Sequence, residues 1–138
     1  HRRLFAQLAK ELIIQGDPAR AKKVLAYAEQ AVPGYNVPET YESGSYSIAT
    51  AYAALGEKMK AITLTEHLIA EAEDYINWAF SLKGNRMEMV RNDCIYKFWQ
   101  WNQCNELLKK VDEESYKESN RRFEDKYALF APNMGYKN

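Results

Sequence analysis

The sequence predicts an all-α fold of about six helices that pair as antiparallel hairpins, and three observations support it. Apolar residues recur at the three- and four-residue spacing of an amphipathic helix through most of the chain. The segments with this spacing are separated by short turns that contain glycine or proline. No segment keeps the alternating apolar and polar pattern of a half-buried strand.

The composition is that of a folded globular protein without a dominant charge. The chain has 138 residues, of which 46% are hydrophobic and 13% aromatic, and 19 basic residues balance 19 acidic ones. This length suits a single domain over 1–138, which begins at His1 and is expected to be cut from a longer protein. The balanced charge disfavours nucleic-acid binding. Every apolar run is far shorter than the roughly 20 residues that span a bilayer, so the segment itself is not expected to insert into a membrane.

The first two helices are expected to form a hairpin. Helix 1 is predicted over about Arg2–Gln15 and ends at Gly16. Asp17 followed by Pro18 has the form of an N-cap with proline at the first helical position, so it predicts a second helix that continues to about Val32. The apolar stripe of helix 1 consists of Leu4, Phe5, Leu8, Leu12 and Ile13.

The third and fourth helices follow the longest irregular connection, which is predicted over Gly34–Pro38. Helix 3 is predicted over about Thr40–Leu55, with Gly44 weakening its first turn, and Gly56 ends it. Helix 4 is predicted over about Lys58–Phe80 from its regular apolar spacing.

Two further helices are predicted from capping signals. Asn85 with Glu88 three residues on has the form of a capping box, and Ser115 with Glu118 repeats it. The two helices are expected over about Asn85–Val111 and about Tyr116–Phe130.

The first two helical pairs match each other position by position, because Gly56 follows Gly16 by forty residues and both end a helix. The positions that carry the repeat in the first pair are Phe5, Leu8, Ala9, Leu12, Gly16, Ala21, Ala28 and Pro33. Those in the second pair are Ile48, Ala49, Tyr52, Gly56 and Ala61. This pattern resembles the tetratricopeptide repeat. The resemblance implies a short right-handed superhelix with units over about 2–33 and 40–80 and a divergent pair over about 85–130.

The same resemblance implies a binding face, because the first helix of each tetratricopeptide pair lines the concave side of the superhelix. The matching positions here are Arg3, Ala6, Lys10, Ile13, Ser43, Tyr46, Thr50 and Ala53. The candidate contact residues among them are Arg3, Lys10, Ile13, Tyr46 and Thr50. The asparagine and lysine clamp that some members use to hold a peptide carboxylate is not reproduced, since Ala6, Ser43 and Ser47 occupy its positions. The expected partner is therefore a protein or peptide segment, which the face would bind without contacting a terminal carboxylate.

Four short segments resemble a more specific setting. They are Arg2-Arg3-Leu4-Phe5, Pro33-Gly34-Tyr35-Asn36-Val37-Pro38, Leu55-Gly56-Glu57-Lys58 and Tyr75-Ile76-Asn77-Trp78. Together they are similar to the soluble C-terminal tail of a Bacteroidetes family of multi-pass membrane proteins related to protein O-mannosyltransferase-like glycosyltransferases. The resemblance, over roughly Arg2 to Val111, implies a parent in the bacterial inner membrane. That membrane portion would hold the catalytic carboxylates and is a possible partner, so no catalytic residue is carried over to this chain.

An aromatic block in the fifth predicted helix offers a second candidate surface. Tyr96, Phe98, Trp99 and Trp101 are too widely spread for one buried stripe, so at least one ring, Trp101 foremost, is expected to face solvent or a partner. Trp99 and Trp101 form the candidate contact patch. Packing and recognition both remain open for this block, and a structural or homodimerisation module is the alternative function.

No arrangement of residues predicts catalysis, a metal or another cofactor. His67 and Glu71 are one helical turn apart, but the second histidine of a helical zinc site is missing. Cys94 and Cys104 would lie roughly 15 Å apart along one helix, too far for a disulfide. Ser43, Ser45 and Ser47 surround Gly44 without a partner base. A stand-alone enzyme is therefore the third and weakest hypothesis.

Overall fold

The computed structural model describes residues 1–33 and 40–134 and is all-α over them, which confirms the predicted fold class. The predicted connection Gly34–Pro38 lies outside the described residues. The helices are α1 (Arg2–Ile14), α2 (Pro18–Ala31), α3 (Ser45–Ala54), α4 (Lys58–Phe80), α5 (Arg86–Met89), α6 (Arg91–Val111) and α7 (Glu113–Phe130), followed by a 3₁₀ turn, Ala131–Met134.

Three helix starts differ from the sequence prediction. Helix α3 begins at Ser45 because Gly44 has a φ of 93° and no side-chain cap. The fifth predicted helix is divided at Val90 into α5 and α6. Helix α7 begins before Ser115, because Asp112 is the true cap and its carboxylate accepts from the Ser115 amide at 3.3 Å. The predicted Asn85 cap makes no side-chain hydrogen bond.

The chain divides into two compact units, His1–Leu68 and Ile69–Asn138, and the division falls inside α4. They are called unit 1 and unit 2 below. The organisation into three helical pairs within one domain stays a prediction.

Unit 1 is built on small residues that allow helices to approach closely. Helix α1 packs against both α2 and α3, and the buried residues on its inner side are Ala6 and Ala9. The predicted stripe of α1 is wrong for Leu4 and Leu8, which are 66% and 50% exposed. A face made of alanines brings the helix backbones closer than a leucine face would, and this places the two leucines outside the contact. The other small core residues of unit 1 are Ala21, Ala28, Ala49, Ala51 and Ala61.

Unit 2 has an aromatic core between α6 and α7, which pack against each other. Phe98 and Trp101 of α6 lie close to Phe123 and Phe130 of α7, with ring centroids 5.1–5.7 Å apart. Edge-to-face and tilted pairs of this kind contribute about 0.5–1.5 kcal/mol each beyond the burial of their area. The contact between α6 and α7 therefore depends on the packing of aromatic rings.

Candidate functional site

The predicted concave-face residues lie on two neighbouring helices of unit 1. Arg3 and Lys10 of α1 and Thr50 of α3 are exposed, whereas Ile13 and Tyr46 are half-buried. Since α1 packs against α3, these residues belong to one helical pair, here called the α1–α3 face. It combines basic, aromatic and aliphatic groups, a mixed surface of the kind found in protein interfaces.

Tyr46 of the α1–α3 face is held by contacts with neighbouring residues. Its ring stacks on that of Tyr41 with centroids 5.0 Å apart, and its carbonyl accepts a hydrogen bond from Thr50 Oγ1 at 2.9 Å. Arg3 donates from Nη2 to the carbonyl of Glu42 at 3.3 Å. The turn that precedes α3 thus positions side chains on both helices.

The serines near Gly44 have a structural role. Ser43 Oγ accepts from Arg2 Nη1 at 2.8 Å and donates to the carbonyl of Thr40 at 2.9 Å. Ser45 is buried with its Oγ 3.3 Å from that of Ser43. Gly44 fits here because a Cβ would come within 2.9 Å of the Arg3 backbone nitrogen and its φ is left-handed. These hydroxyls are used to hold the turn together.

A groove that sequence reasoning missed lies among α2, α3 and α4 of unit 1. It consists of two adjoining pockets of about 270 and 310 Å³ that share Glu29, Tyr52 and Leu64. The Tyr52 hydroxyl donates to the Glu29 carboxylate, and Lys60 Nζ lies 3.6 Å from that carboxylate and 5.4 Å from the Tyr52 ring centroid. The remaining lining residues are Arg2, Ala28, Val32, Ser45, Ile48, Met59, Lys60, Thr63 and His67.

Glu71 and the two cysteines serve as ion-pair and packing partners, whereas His67 is exposed at the groove of unit 1. Glu71 pairs with Lys97, whose Nζ is 3.0 Å from Glu71 Oε1. Cys94 and Cys104 are buried and form no disulfide. Burial, aided by the Glu71 carboxylate, raises the pKa of the Cys104 thiol to about 12, and burial together with Asp93 raises the pKa of Cys94. Over the described residues, no group of three histidine, cysteine or acidic side chains is placed to hold a metal.

The buried and exposed rings of the aromatic block are not the ones that the sequence predicts. Trp101 is fully buried, and its indole Nε1–H donates to Ser119 Oγ at 2.8 Å, so the expectation that Trp101 faces solvent is wrong. Ser119 in turn donates to Asn105 Oδ1 at 2.5 Å. A buried indole needs such a partner for its N–H, and α7 supplies it.

Trp99 is the exposed tryptophan of the block, with 46% of its surface accessible. Its ring stacks on Tyr96, with centroids 5.7 Å apart and planes 14° from parallel. Trp99 also lines a pocket of about 330 Å³ between α6 and α7. The lining residues of this aromatic pocket are Ile95, Phe98, Trp99, Asn102, Phe123, Tyr127 and Phe130.

Comparison of the chain with protein-family models, curated proteins and solved structures gives no match. The tetratricopeptide and glycosyltransferase-tail resemblances therefore stay predictions. Among the helices of residues 1–33 and 40–134, none is long and apolar enough to cross a bilayer.

Proposed function

We propose that this chain is a non-catalytic helical-repeat domain that binds a protein or peptide segment through the α1–α3 face. The observation that carries the proposal is the packing of α1 on α3 with Lys10 exposed on one helix and Tyr46 half-buried on the other. A tyrosine held by a stacked neighbour presents a large amphipathic surface with little conformational entropy to lose, which suits it to recognition.

The chemistry of the chain favours binding over catalysis. The Ser43 hydroxyl is engaged with Arg2 and Thr40, and its hydrogen-bond partners within residues 1–33 and 40–134 include no histidine. The raised pKa of Cys104 keeps that buried group a thiol, and a thiol is a poor nucleophile. We further propose, from the sequence resemblance, that the domain is appended to a glycosyltransferase-like protein of the bacterial inner membrane and that the parent's membrane portion is one candidate partner.

The test is capture from a detergent extract of the source organism's membranes with the domain as bait. The test variant is Lys10→Ala with Tyr46→Ala. The matched control is Lys23→Ala with Tyr27→Ala, which changes the same residue types at exposed positions of α2 in the same unit. Capture of a specific protein by the wild type and the control, but not by the test variant, supports the α1–α3 face. Equal capture by all three forms contradicts it.

Self-association is the second candidate function, and the exposed stack of Tyr96 on Trp99 favours it. Exposed aromatic residues are enriched in protein interfaces, and a two-fold dimer would place this stack against its own copy. Light scattering over a range of protein concentrations tests this. A dimer that Trp99→Ala converts to a monomer supports the second candidate, whereas a monomer at the highest concentration contradicts it.

A further inference from the structure

A broad depression on the surface of unit 2 lies at the turn between α4 and α6. Its volume is about 600 Å³, and all of its lining residues belong to the stretch 83–91. Three of them are basic, namely Lys83, Arg86 and Arg91, and one, Glu88, is acidic. Three positive charges and one negative charge give this lining a net charge of +2. The surface is called the basic depression below.

The backbone of the basic depression is ordered by hydrogen bonds within the turn. The N–H of Glu88 donates to the carbonyl of Asn85, and that of Val90 to the carbonyl of Met87, both at 3.2 Å. The N–H of Cys94 donates to the carbonyl of Val90 at 2.9 Å, which ties this turn to the start of α6. The basic side chains therefore extend from a backbone of defined conformation, and this lowers the entropy cost of binding.

The three cations of the basic depression have no acidic partner within the chain as far as the structure describes it. Lys83 and Arg86 are exposed, and Arg91 is half-buried. None of their side chains forms an ion pair or a hydrogen bond with another residue of 1–33 and 40–134, and this includes the neighbouring Glu88. Their positive charge is therefore available to a ligand.

The acidic residues that flank this turn along the chain lie outside the basic depression. Asp93, in the first turn of α6, accepts a hydrogen bond from the Tyr75 hydroxyl at 3.4 Å. Asp74 is the last acidic residue of α4, and six residues separate it from the end of that helix at Phe80, which is roughly 9 Å along the axis. Neither carboxylate lines the depression, so its net positive charge is not cancelled there.

The basic depression also presents an apolar side chain. Met89 lines it and is 84% exposed, more than any other large hydrophobic residue of the described chain. Methionine is flexible and polarizable, so it adapts to apolar groups of different shapes. An occupant that carries negative charge together with an apolar side chain would therefore contact both parts of this surface.

The number of cations and the volume distinguish between anionic occupants. Surfaces that bind anionic lipids use clusters of about 4–8 lysines and arginines, whereas the basic depression has three and includes Glu88 among them. Its volume of about 600 Å³ lies within the range of sites that hold drug-sized ligands, and a free phosphate ion would fill only a small part of it. Both facts favour a short polypeptide segment with separate carboxylates.

We propose that the basic depression binds an acidic segment of a partner protein, whose carboxylates pair with Lys83, Arg86 and Arg91 and whose apolar side chain packs on Met89. The planar guanidinium of arginine matches a carboxylate with two parallel hydrogen bonds. Exposed ion pairs are individually weak and are screened by salt, so the affinity is expected to be low and to depend on ionic strength. This surface lies in unit 2 and does not depend on the α1–α3 face proposed above.

The test is an NMR titration of the full chain that follows its backbone amide signals. The probe is the peptide acetyl-Glu-Glu-Leu-Glu-Glu-amide, and its matched control is acetyl-Gln-Gln-Leu-Gln-Gln-amide, which has nearly the same shape without the charge. Gly84 lines the basic depression and reports binding there, while Gly16 and Gly56 of unit 1 serve as internal references. Both peptides are titrated at matched ionic strength.

The expected result is a saturable shift of the Gly84 signal with the glutamate peptide, which binds at least about five-fold more tightly than the glutamine peptide. Lys83→Gln with Arg86→Gln should weaken the glutamate peptide roughly five-fold, because two ion pairs are lost. The control is Lys23→Gln with Lys110→Gln, which removes the same charge at exposed positions outside the depression and should leave the affinity unchanged.

Glu88→Gln supplies a change in the opposite direction. It raises the net charge of the lining, so the glutamate peptide should bind about two-fold more tightly. A variant that had lost its fold would not gain affinity. Raising the NaCl concentration from about 0.05 to about 0.3 M should weaken the glutamate peptide several-fold in the wild-type protein, because the charges are then screened.

Three outcomes would overturn the proposal. The first is equal binding of the two peptides, which would indicate a surface indifferent to charge. The second is the absence of a saturable Gly84 shift in the wild-type protein with the glutamate peptide at concentrations up to about 10 mM. The third is a Gly84 shift with inorganic phosphate, or cosedimentation with vesicles of phosphatidylserine and phosphatidylcholine, without binding of the glutamate peptide. That result would identify the ligand as a free phosphate or a lipid headgroup.

Discussion

Arg2 offers a direct test of how unit 1 is held together. Its side chain is only 5% exposed, and its guanidinium donates to Ser43 Oγ at 2.8 Å and to the carbonyl of Val32 at 3.0 Å. These bonds join the start of α1 to the end of α2 and to the turn before α3. Arg2→Ala removes both bonds and the packing of the side-chain stem.

The expected decrease in the free energy of unfolding is about 2–4 kcal/mol, which follows from the bonds and from the desolvation of the charge. A hydrogen bond with a charged donor contributes about 1.5–3 kcal/mol, so two bonds give roughly 3–6 kcal/mol if they are additive. Removing a buried charge also removes its desolvation penalty, which lowers this sum. Ser43 Oγ keeps its bonds with Thr40, so the Val32 carbonyl is the acceptor that loses most.

The assay is equilibrium urea unfolding followed by the helical circular dichroism signal. The control is Arg3→Ala, because Arg3 is exposed and its bond to the Glu42 carbonyl is long, at 3.3 Å. That change should stay within about 0.5 kcal/mol. All three tryptophans lie in unit 2, so their fluorescence follows that unit in the same samples. An Arg2→Ala protein that is no less stable than Arg3→Ala would refute the reasoning.

Three further changes have defined outcomes. Gly44→Ala should lower the free energy of unfolding by about 2–4 kcal/mol, because φ is left-handed and a Cβ would press on the Arg3 backbone. Gly16→Ala has open space around its Cβ, so in the same urea assay it should lower that free energy by only about 1 kcal/mol. Trp101→Phe should lower the free energy of unfolding by about 1–3 kcal/mol, because the buried Ser119 hydroxyl loses the donor that it accepts from. Thermal unfolding measures this loss, and an equal effect of Trp99→Phe would contradict it. Burial raises the pKa of Cys104 from about 9 to about 12. The contribution of this thiol to the free energy of unfolding is therefore fully present below pH 9 and is lost as the pH rises towards 12. Cys104→Ala should make the urea midpoint fall less steeply with pH over that range. An unchanged fall would mean that other groups cause it.

Helix positions could be predicted where a local signal marks the end. Pro18 follows Asp17, and the Asp17 carboxylate accepts from the Arg20 amide at 3.2 Å, as expected of an N-cap. The sequence does not locate the starts of α3 and α7 correctly, because two local signals compete at each. At α3 the left-handed Gly44 interrupts an apolar pattern that continues through it, and at α7 Asp112 takes the capping role three residues before Ser115.

Hydrophobicity alone does not predict which residues of α1 are buried. Leucine buries more area than alanine, so the apolar periodicity favours Leu4 and Leu8 over Ala6 and Ala9 as buried residues. The packing partners α2 and α3 decide otherwise, because close contact between three helices leaves room only for small side chains. For the same reason the groove around Tyr52 carries no sequence signal: its residues come from several helices, and none of them is distinctive alone.

The aromatic block shows why exposure within a run of rings depends on the neighbouring helix. At about 100° per residue, the positions of Phe98 and Trp101 fall on one side of α6 and those of Tyr96 and Trp99 on another. Either pair could have formed the core, since all four rings are large and apolar. Ser119 of α7 decides the matter, because it gives the Trp101 indole a hydrogen-bond acceptor inside the core. Trp99 is thereby left half-exposed, and it lines the pocket between α6 and α7.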